Sequence, residues 1–309
     1  MTIPAPAQAS PATGRIVRPA PAAVLELLKP ITWFPPMWAF ACGIVSSGAS
    51  IAQSWSLALL GIVLAGPLVC GMSQAVNDWF DRHVDAINEP QRPIPSGRLP
   101  GRTGLYVALG WTALSLLIGW LLGPWGFAAT LLGVALAWAY SAPPLRLKRD
   151  GWTGGAACAL SYETLPWITA AAVLSGGAPD PRVALVALLY GVGAHGIMTL
   201  NDFKAIEGDL RFGIRSLPAR YGAARAAWIA CIVMAVPQAV VVALLLGWGA
   251  PWTAAIIGTS LGLQLLCMAK LMRDPRALAP WYNATGVSLY VLGMMAVAAA
   301  LRPAMGVAP

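Results

Sequence analysis

Two short stretches hold the acidic groups of this chain that are spaced for chemistry. "NDWFDRHVDAIN", residues 77–88, carries Asp78, Asp81 and Asp85, and "NDFKAIEGD", residues 201–209, carries Asp202 and Asp209. Each opens on an Asn–Asp pair, with Asn77 or Asn201 in front, and each has an Asp seven positions after the first. On a helix of 3.6 residues per turn, positions i, i+3 and i+7 lie within about 60° of one another, so Asp78, Asp81 and Asp85 share a face. Like charges one and two turns apart repel unless a cation sits among them. Hard oxygen donors suit Mg²⁺, which binds through one or two carboxylates together with the phosphates of a substrate. A single cluster of this kind reads equally well as solvated charge that helps to end a helix. Two clusters with the same opening pair and spacing point to a metal–diphosphate site, with Asp78, Asp81, Asp85, Asp202 and Asp209 as its Mg²⁺ ligands, and they suggest duplication of a helical unit.

A diphosphate also calls for positive charge. Arg82, Arg92 and Arg98 flank the first stretch, Arg146 and Lys148 follow the apolar run that ends near residue 142, and Lys204 and Arg215 flank the second stretch. Arginine meets phosphate through a fork of donors and lysine as a point charge. These basic residues, with Asn77 and Asn201, are the expected substrate contacts; the alternative for each is charge that merely sets membrane topology.

The elements that position these groups must be helices in a bilayer. Of the 309 residues 58% are hydrophobic and 10% charged, whereas a soluble domain carries about a quarter charged residues. Apolar runs of about 18 to 25 residues recur, each long enough for a helix to cross a hydrocarbon core roughly 30 Å thick. The ten-residue alternation of a β-barrel is not seen. The pattern predicts an all-α polytopic membrane protein with nine transmembrane helices, near 31–50, 57–79, 103–122, 125–142, 153–174, 182–201, 226–246, 251–270 and 281–301. Residues 1–30, rich in Pro and Ala and without the features of a signal peptide, read as a disordered cytoplasmic tail. Residues 31–301 then form one membrane domain, and 302–309 a short tail on the far side.

Of the 20 Lys and Arg, all but Arg182 and Arg302 fall in the N-terminal tail or in the longer, charged loops that alternate with short apolar ones. The positive-inside rule therefore places the N-terminus in the cytoplasm, the C-terminus on the opposite side of the membrane, and the opening of the active-site cavity at the cytoplasmic face. The net charge of +8 reflects this topology and contact with the lipid bilayer; no nucleic-acid motif accompanies it. Five scattered Cys read as packing residues, because they lack the close pairing of a metal site or disulfide framework. Glu163 and His195 fall inside spans, where ionisable groups are costly and face a cavity or a partner. Glu163 reads as a supporting partner in the site. His195 reads either as a contact to substrate or as a neutral ring bonded to a neighbouring helix.

"NDWFDRHVDAINEPQRPIPSGR" and "NDFKAIEGDLRFGIRSLPARYG" resemble the two aspartate-rich motifs of the UbiA-type intramembrane aromatic prenyltransferases, and "YSAPPLRLKR", residues 140–149, is similar to the turn and basic residues of a third element of that family. Order, spacing and span number agree over nearly the whole chain after residue 25. Within the family, "INEPQRPIPSGR" and "NDFKAIEGD" look like the motifs of the chlorophyll synthase branch. Many members carry an Asp where this chain has Ala205, and commonly an Arg where it has Leu210.

The resemblance implies esterification of the propionate carboxylate of a chlorophyllide or bacteriochlorophyllide by geranylgeranyl or phytyl diphosphate, with Mg²⁺ as cofactor. Pigment-biosynthesis or photosystem-assembly proteins are candidate partners. A carboxylate nucleophile is already ionised at neutral pH, with a pKa near 4, so no general base is required; this suits a chain whose only His are His83 and His195. Tyr140 is the aromatic residue expected to face the allylic centre, where a ring's π-face favours developing positive charge; for His195 the pigment's magnesium becomes a possible contact. Two rivals stand beside this reading: a UbiA-type enzyme acting on a hydroxybenzoate, a naphthoate or haem, and a transporter or pigment-binding scaffold without enzymatic activity.

Overall fold

The computed structural model describes residues 20–302, so most of the expected N-terminal tail and nearly all of the C-terminal one lie outside the described residues. The described chain is helical throughout. Among its residues no strand forms, and one isolated bridge joins Asp150 to Arg215. The helices are α1 (Pro21–Leu27), α2 (Phe34–Ser46), α3 (Ile51–Asn88), α4 (Thr103–Leu121), α5 (Gly123–Ser141), α6 (Gly151–Ser175), α7 (Pro181–Phe212), α8 (Leu217–Tyr221), α9 (Ala223–Gly247), α10 (Pro251–Leu271) and α11 (Pro275–Ala300).

Proline in the first turn, where its missing N–H costs nothing, starts α1, α7, α10 and α11. Asp150, Asp180 and Asp274 cap α6, α7 and α11 by accepting backbone N–H bonds. Seven helices, α3, α4, α6, α7, α9, α10 and α11, are long and apolar enough to cross a membrane. The nine expected stretches are thus all helical, but nine spans are not shown. α2 has only 13 residues, and α5, diluted by Gly, Pro, Trp, Tyr and Ser, falls outside the seven.

Neighbours in sequence pack side by side, and α2 touches both α6 and α11, so the last helix returns beside the first of the bundle. Small residues permit close approach: a Cβ added at Gly196 on α7 would stand 2.5 Å from the Ala230 carbonyl oxygen on α9. Trp167, Tyr190, Tyr282 and Tyr290 fill the core of the second half. Apolar side chains such as Trp252, 84% exposed, face outward, as a lipid-facing surface requires.

Two expectations are corrected here. The tail does not reach residue 30, because Ala23, Leu27 and Leu28 of the α1 region are buried against Met72, Ala75 and Val76 of α3. The second expected stretch does not end near residue 79 either: α3 continues through the first acidic stretch to Asn88 and is closed by Glu89, so the three Asp are helical as their spacing implies.

Candidate active site

The first acidic stretch is a continuous helix, and its regularity sorts its side chains. Measured around the axis from Asp78, Asp85 lies roughly 20° away, Asp81 roughly 60° and Asn77 roughly 100° on the same side. This spread suffices to divide them. Asp78, 1% exposed, accepts from Lys29 Nζ at 2.7 Å and Arg92 Nη1 at 3.4 Å, and Asp85 accepts from the same Arg92 Nη1 at 2.8 Å. Arg92 also contacts Glu89. Burial opposes the charge of Arg92, but Asp78 and Asp85 hold its pKa above the ordinary arginine value.

Asn77 and Asp81 turn the other way, toward the loop that follows α5. Lys148 Nζ donates to Asp81 Oδ2 at 2.5 Å and to Asn77 Oδ1 at 3.1 Å, and Arg146 Nη2 stands 3.5 Å from Asp81 Oδ1. Arg146 adopts a left-handed backbone, φ 41°, which a non-glycine residue rarely holds without being over-determined by its surroundings. Burial lowers the pKa of Lys148 in spite of the adjacent Asp81.

The second stretch is broken where the first is regular. Asp202–Ala205 is a 3-10 turn between the main part of α7 and its last segment, Ile206–Phe212. Asp209 Oδ2 accepts from Ser216 Oγ at 2.5 Å, and Asp202 makes no ion pair among the described residues. Backbone bonds from Gly151 N to Arg215 O and from Arg215 N to Arg149 O lash the loop after α5 to the loop after α7.

The halves meet. Asn77, Asp81, Lys148, Asp202, Asp209 and Ser216 line one polar cavity of about 210 Å³. Through Asn77, Tyr140, Cys158 and Met198 it joins a mainly apolar central cavity of about 200 Å³. From there Ala65, Val69, Gly133 and Ser161 lead to a narrow pocket of about 40 Å³ deeper among α2, α3, α5 and α6. On the other side Gln74, Tyr162, Cys158 and Met198 also line a lateral cavity of about 730 Å³ between α2, α6, α7 and α11.

Among the described residues no three His, Cys, Asp or Glu side chains stand close enough to hold a metal ion by themselves. The hard oxygens are split between two facing walls instead, a donor set that fits an ion sharing its coordination with a bound diphosphate. The Lys148 ammonium between Asn77 and Asp81 stands in for such a cation.

Other expected contacts are placed elsewhere. Arg82 folds back on its own helix, donating to the Trp79 carbonyl at 2.6 Å and covering the Trp79 ring. Arg98 forms a two-pronged pair with Glu26 of α1, at 2.6 and 2.7 Å. Arg215, by contrast, stays at the edge of the polar cavity, exposed and 3.7 Å from Asp150 of its lining. His195 lines none of these cavities: its Nε2 lies 3.3 Å from the Trp152 carbonyl on the neighbouring helix and its ring packs against Trp152. Asn201 accepts from Asn283 at 2.9 Å and, with Lys204, lines the lateral cavity. Sequence reasoning missed Lys29, Ser216 and Asn283. Lys29 and Asn283 act across 49 and 82 residues, leaving no periodic signal, whereas the seven-residue separation of Ser216 from Asp209 was a readable one.

The chain matches the model of the UbiA prenyltransferase family over residues 32–302. It is 63% identical over 284 residues to the bacteriochlorophyll synthase 33 kDa chain of Cereibacter sphaeroides, covering 92% of this chain and 94% of that one. It is 36% identical over 292 residues to the chloroplastic chlorophyll synthase of Arabidopsis thaliana, covering 89% and 73%. The structure of a UbiA homolog from Archaeoglobus fulgidus bound to DMAPP and Mg²⁺ is similar with a TM-score of 0.66 at 20% identity, over 89% of this chain and 99% of that one.

Proposed function

The chain belongs to the UbiA prenyltransferase family, and from that premise we propose how its cavities carry out a pigment-esterifying reaction. The protein is a multi-span membrane prenyltransferase. It transfers a geranylgeranyl or phytyl group from the diphosphate to the propionate carboxylate of bacteriochlorophyllide, in keeping with 63% identity to a bacteriochlorophyll synthase chain over 92% of its length.

In this reaction the allylic C1–O bond breaks, its electron pair leaves with diphosphate, and a carboxylate oxygen bonds to C1. The polar cavity receives the diphosphate, with Lys148 and Arg146 drawn from Asp81 toward phosphate oxygens. Asn77, Asp81, Asp202 and Asp209 would hold Mg²⁺, which supplies neutralisation of the charge that develops on the leaving group. Asp78 and Asp85 act differently, by anchoring Arg92 and Lys29 and so fixing the helix that presents Asn77 and Asp81. Tyr140 borders both the polar and the central cavity and offers a ring face beside C1. The isoprenoid runs into the apolar central cavity, where water is excluded and the cation-like centre is protected from hydrolysis. No residue needs to act as general base, because the attacking carboxylate is already ionised.

The distribution of Lys and Arg supports an inner-membrane orientation with the N-terminus and the polar cavity on the cytoplasmic side, with α2 and α5 completing nine spans. The observation that carries the reading is the meeting of both aspartate motifs in one cavity that opens into apolar space. Membranes containing the protein, supplied with geranylgeranyl diphosphate and either bacteriochlorophyllide or 4-hydroxybenzoate, should form esterified pigment and release diphosphate; prenylation of the phenol alone would sink it.

A further inference from the structure

The lateral cavity holds a group that the reaction scheme above leaves without work. Glu163 is 5% exposed, lines this cavity, and its Oε2 has no hydrogen-bond partner. None of the ion pairs among the described residues includes it. It lies in the π turn Leu160–Thr164, a local widening of the helix that recurs at functional sites. The turn fans successive side chains into different spaces: Ser161 lines the central and deep pockets, Tyr162 the central and lateral ones, Glu163 the lateral one.

An unpaired carboxyl at membrane depth is expensive, and such groups mark substrate sites. We propose, resting on the esterification above, that the lateral cavity seats the tetrapyrrole ring of the acceptor and that Glu163 reads it, donating its carboxyl proton to a carbonyl oxygen on the ring's edge. Size supports the assignment. At about 730 Å³ the cavity falls within the roughly 300–1,000 Å³ of small-molecule sites, whereas about 200 and 40 Å³ in the central and deep pockets suit a flexible chain rather than a rigid plate. The lining is right for a flat aromatic ring with a few polar groups at its edge: Trp38, Ile197 and Val291 are apolar, while Lys204 and Asn201 lie toward the end of α7 that carries Asp202. The junction at Gln74 and Tyr162 then lets a propionate arm reach from the ring toward C1 in the central cavity.

A buried carboxyl can be satisfied as a neutral donor to an oxygen or as an anion against a cation. With no cationic side chain paired to Glu163, the first is assigned. A carboxamide at this position keeps a donor, and a methyl group does not.

The test compares Glu163→Gln with Glu163→Ala in the detergent-purified full-length protein. Bacteriochlorophyllide binding is titrated by pigment fluorescence without the donor, and KM is measured for each substrate. Glu163→Ala should weaken pigment binding and raise the acceptor KM about tenfold, the worth of one hydrogen bond, leaving the KM for geranylgeranyl diphosphate unchanged. Glu163→Gln should stay within about twofold of the parent. An unchanged donor KM with an unchanged thermal transition reports that the fold of each variant is intact. Failure of the Gln variant as severe as that of the Ala variant overturns the assignment in favour of an anionic carboxylate on the pigment's metal. A shift confined to the donor KM gives the cavity to the isoprenoid, and no shift in either constant removes Glu163 from recognition. A parent protein that esterifies no pigment refutes the function instead, and the binding titration still reads the cavity independently.

Discussion

The two aspartate stretches have the same opening pair and the same seven-residue spacing, yet one is a regular helix saturated with cations and the other is a broken helix with few. Lys29, Arg92, Lys148 and Arg146 neutralise the three carboxylates of the first. The second relies on one hydroxyl, Ser216 to Asp209, and leaves Asp202 without an ion pair among the described residues. A repeated pattern therefore does not repeat an electrostatic state. The first half is a pre-neutralised wall, half of whose charge serves to hold the wall in place, and the second half is the bare side that an incoming cation would need most.

This asymmetry is open to experiment. The largest effect is expected from Asp202→Ala, which should lower turnover on the order of 10²–10³-fold, as for loss of one electrostatic contact to a developing charge, while the amount of folded protein stays constant. Near-normal turnover would place the diphosphate elsewhere. Asp78→Ala should behave oppositely. It removes the buried partner of Lys29 and one of the partners of Arg92, both about a quarter exposed, so stability should fall by about 1–3 kcal/mol, read as a lower thermal transition, with activity per folded molecule much less affected than in Asp202→Ala. An intact thermal transition with abolished turnover would return Asp78 to the metal set.

Smaller effects sharpen the contrast. Ser216→Ala should cost about 1–3 kcal/mol by leaving the Asp209 carboxylate without its donor, measured as reduced turnover at low Mg²⁺ that is partly restored when Mg²⁺ is raised. Arg82→Ala, which removes a side chain folded onto Trp79, should leave turnover within about twofold, the range of surface substitutions. A large loss would show that Arg82 leaves Trp79 to reach phosphate.

Much of this site was legible in the linear chain. The candidacy of Asn77, Asp81, Asp202 and Asp209 follows from the acidic spacing, and that of Lys148 from a basic turn after an apolar run; all five line the polar cavity. Asp78, Asp81 and Asp85 share a helical face as their spacing predicts, but that face spans some 60°, and the angle separates the pair held by Arg92 from the one held by Lys148. Arg82 and Arg98 lie near the motifs in sequence, yet each meets an aromatic ring or a carboxylate outside the polar cavity, whereas Arg215 stands exposed beside Asp150 at the cavity's edge.

By itself the sequence determined that the chain is a helical membrane protein with two acid motifs and their cations, because hydropathy, helical period and charge are local properties of the chain. Only the tertiary structure decided that α1 folds back to deliver Lys29 to Asp78, that both motifs face one polar cavity, and that Glu163 looks into the lateral cavity with no partner. Those outcomes depend on contacts between residues far apart in sequence, and on which side of a packed helix a few tens of degrees of rotation select.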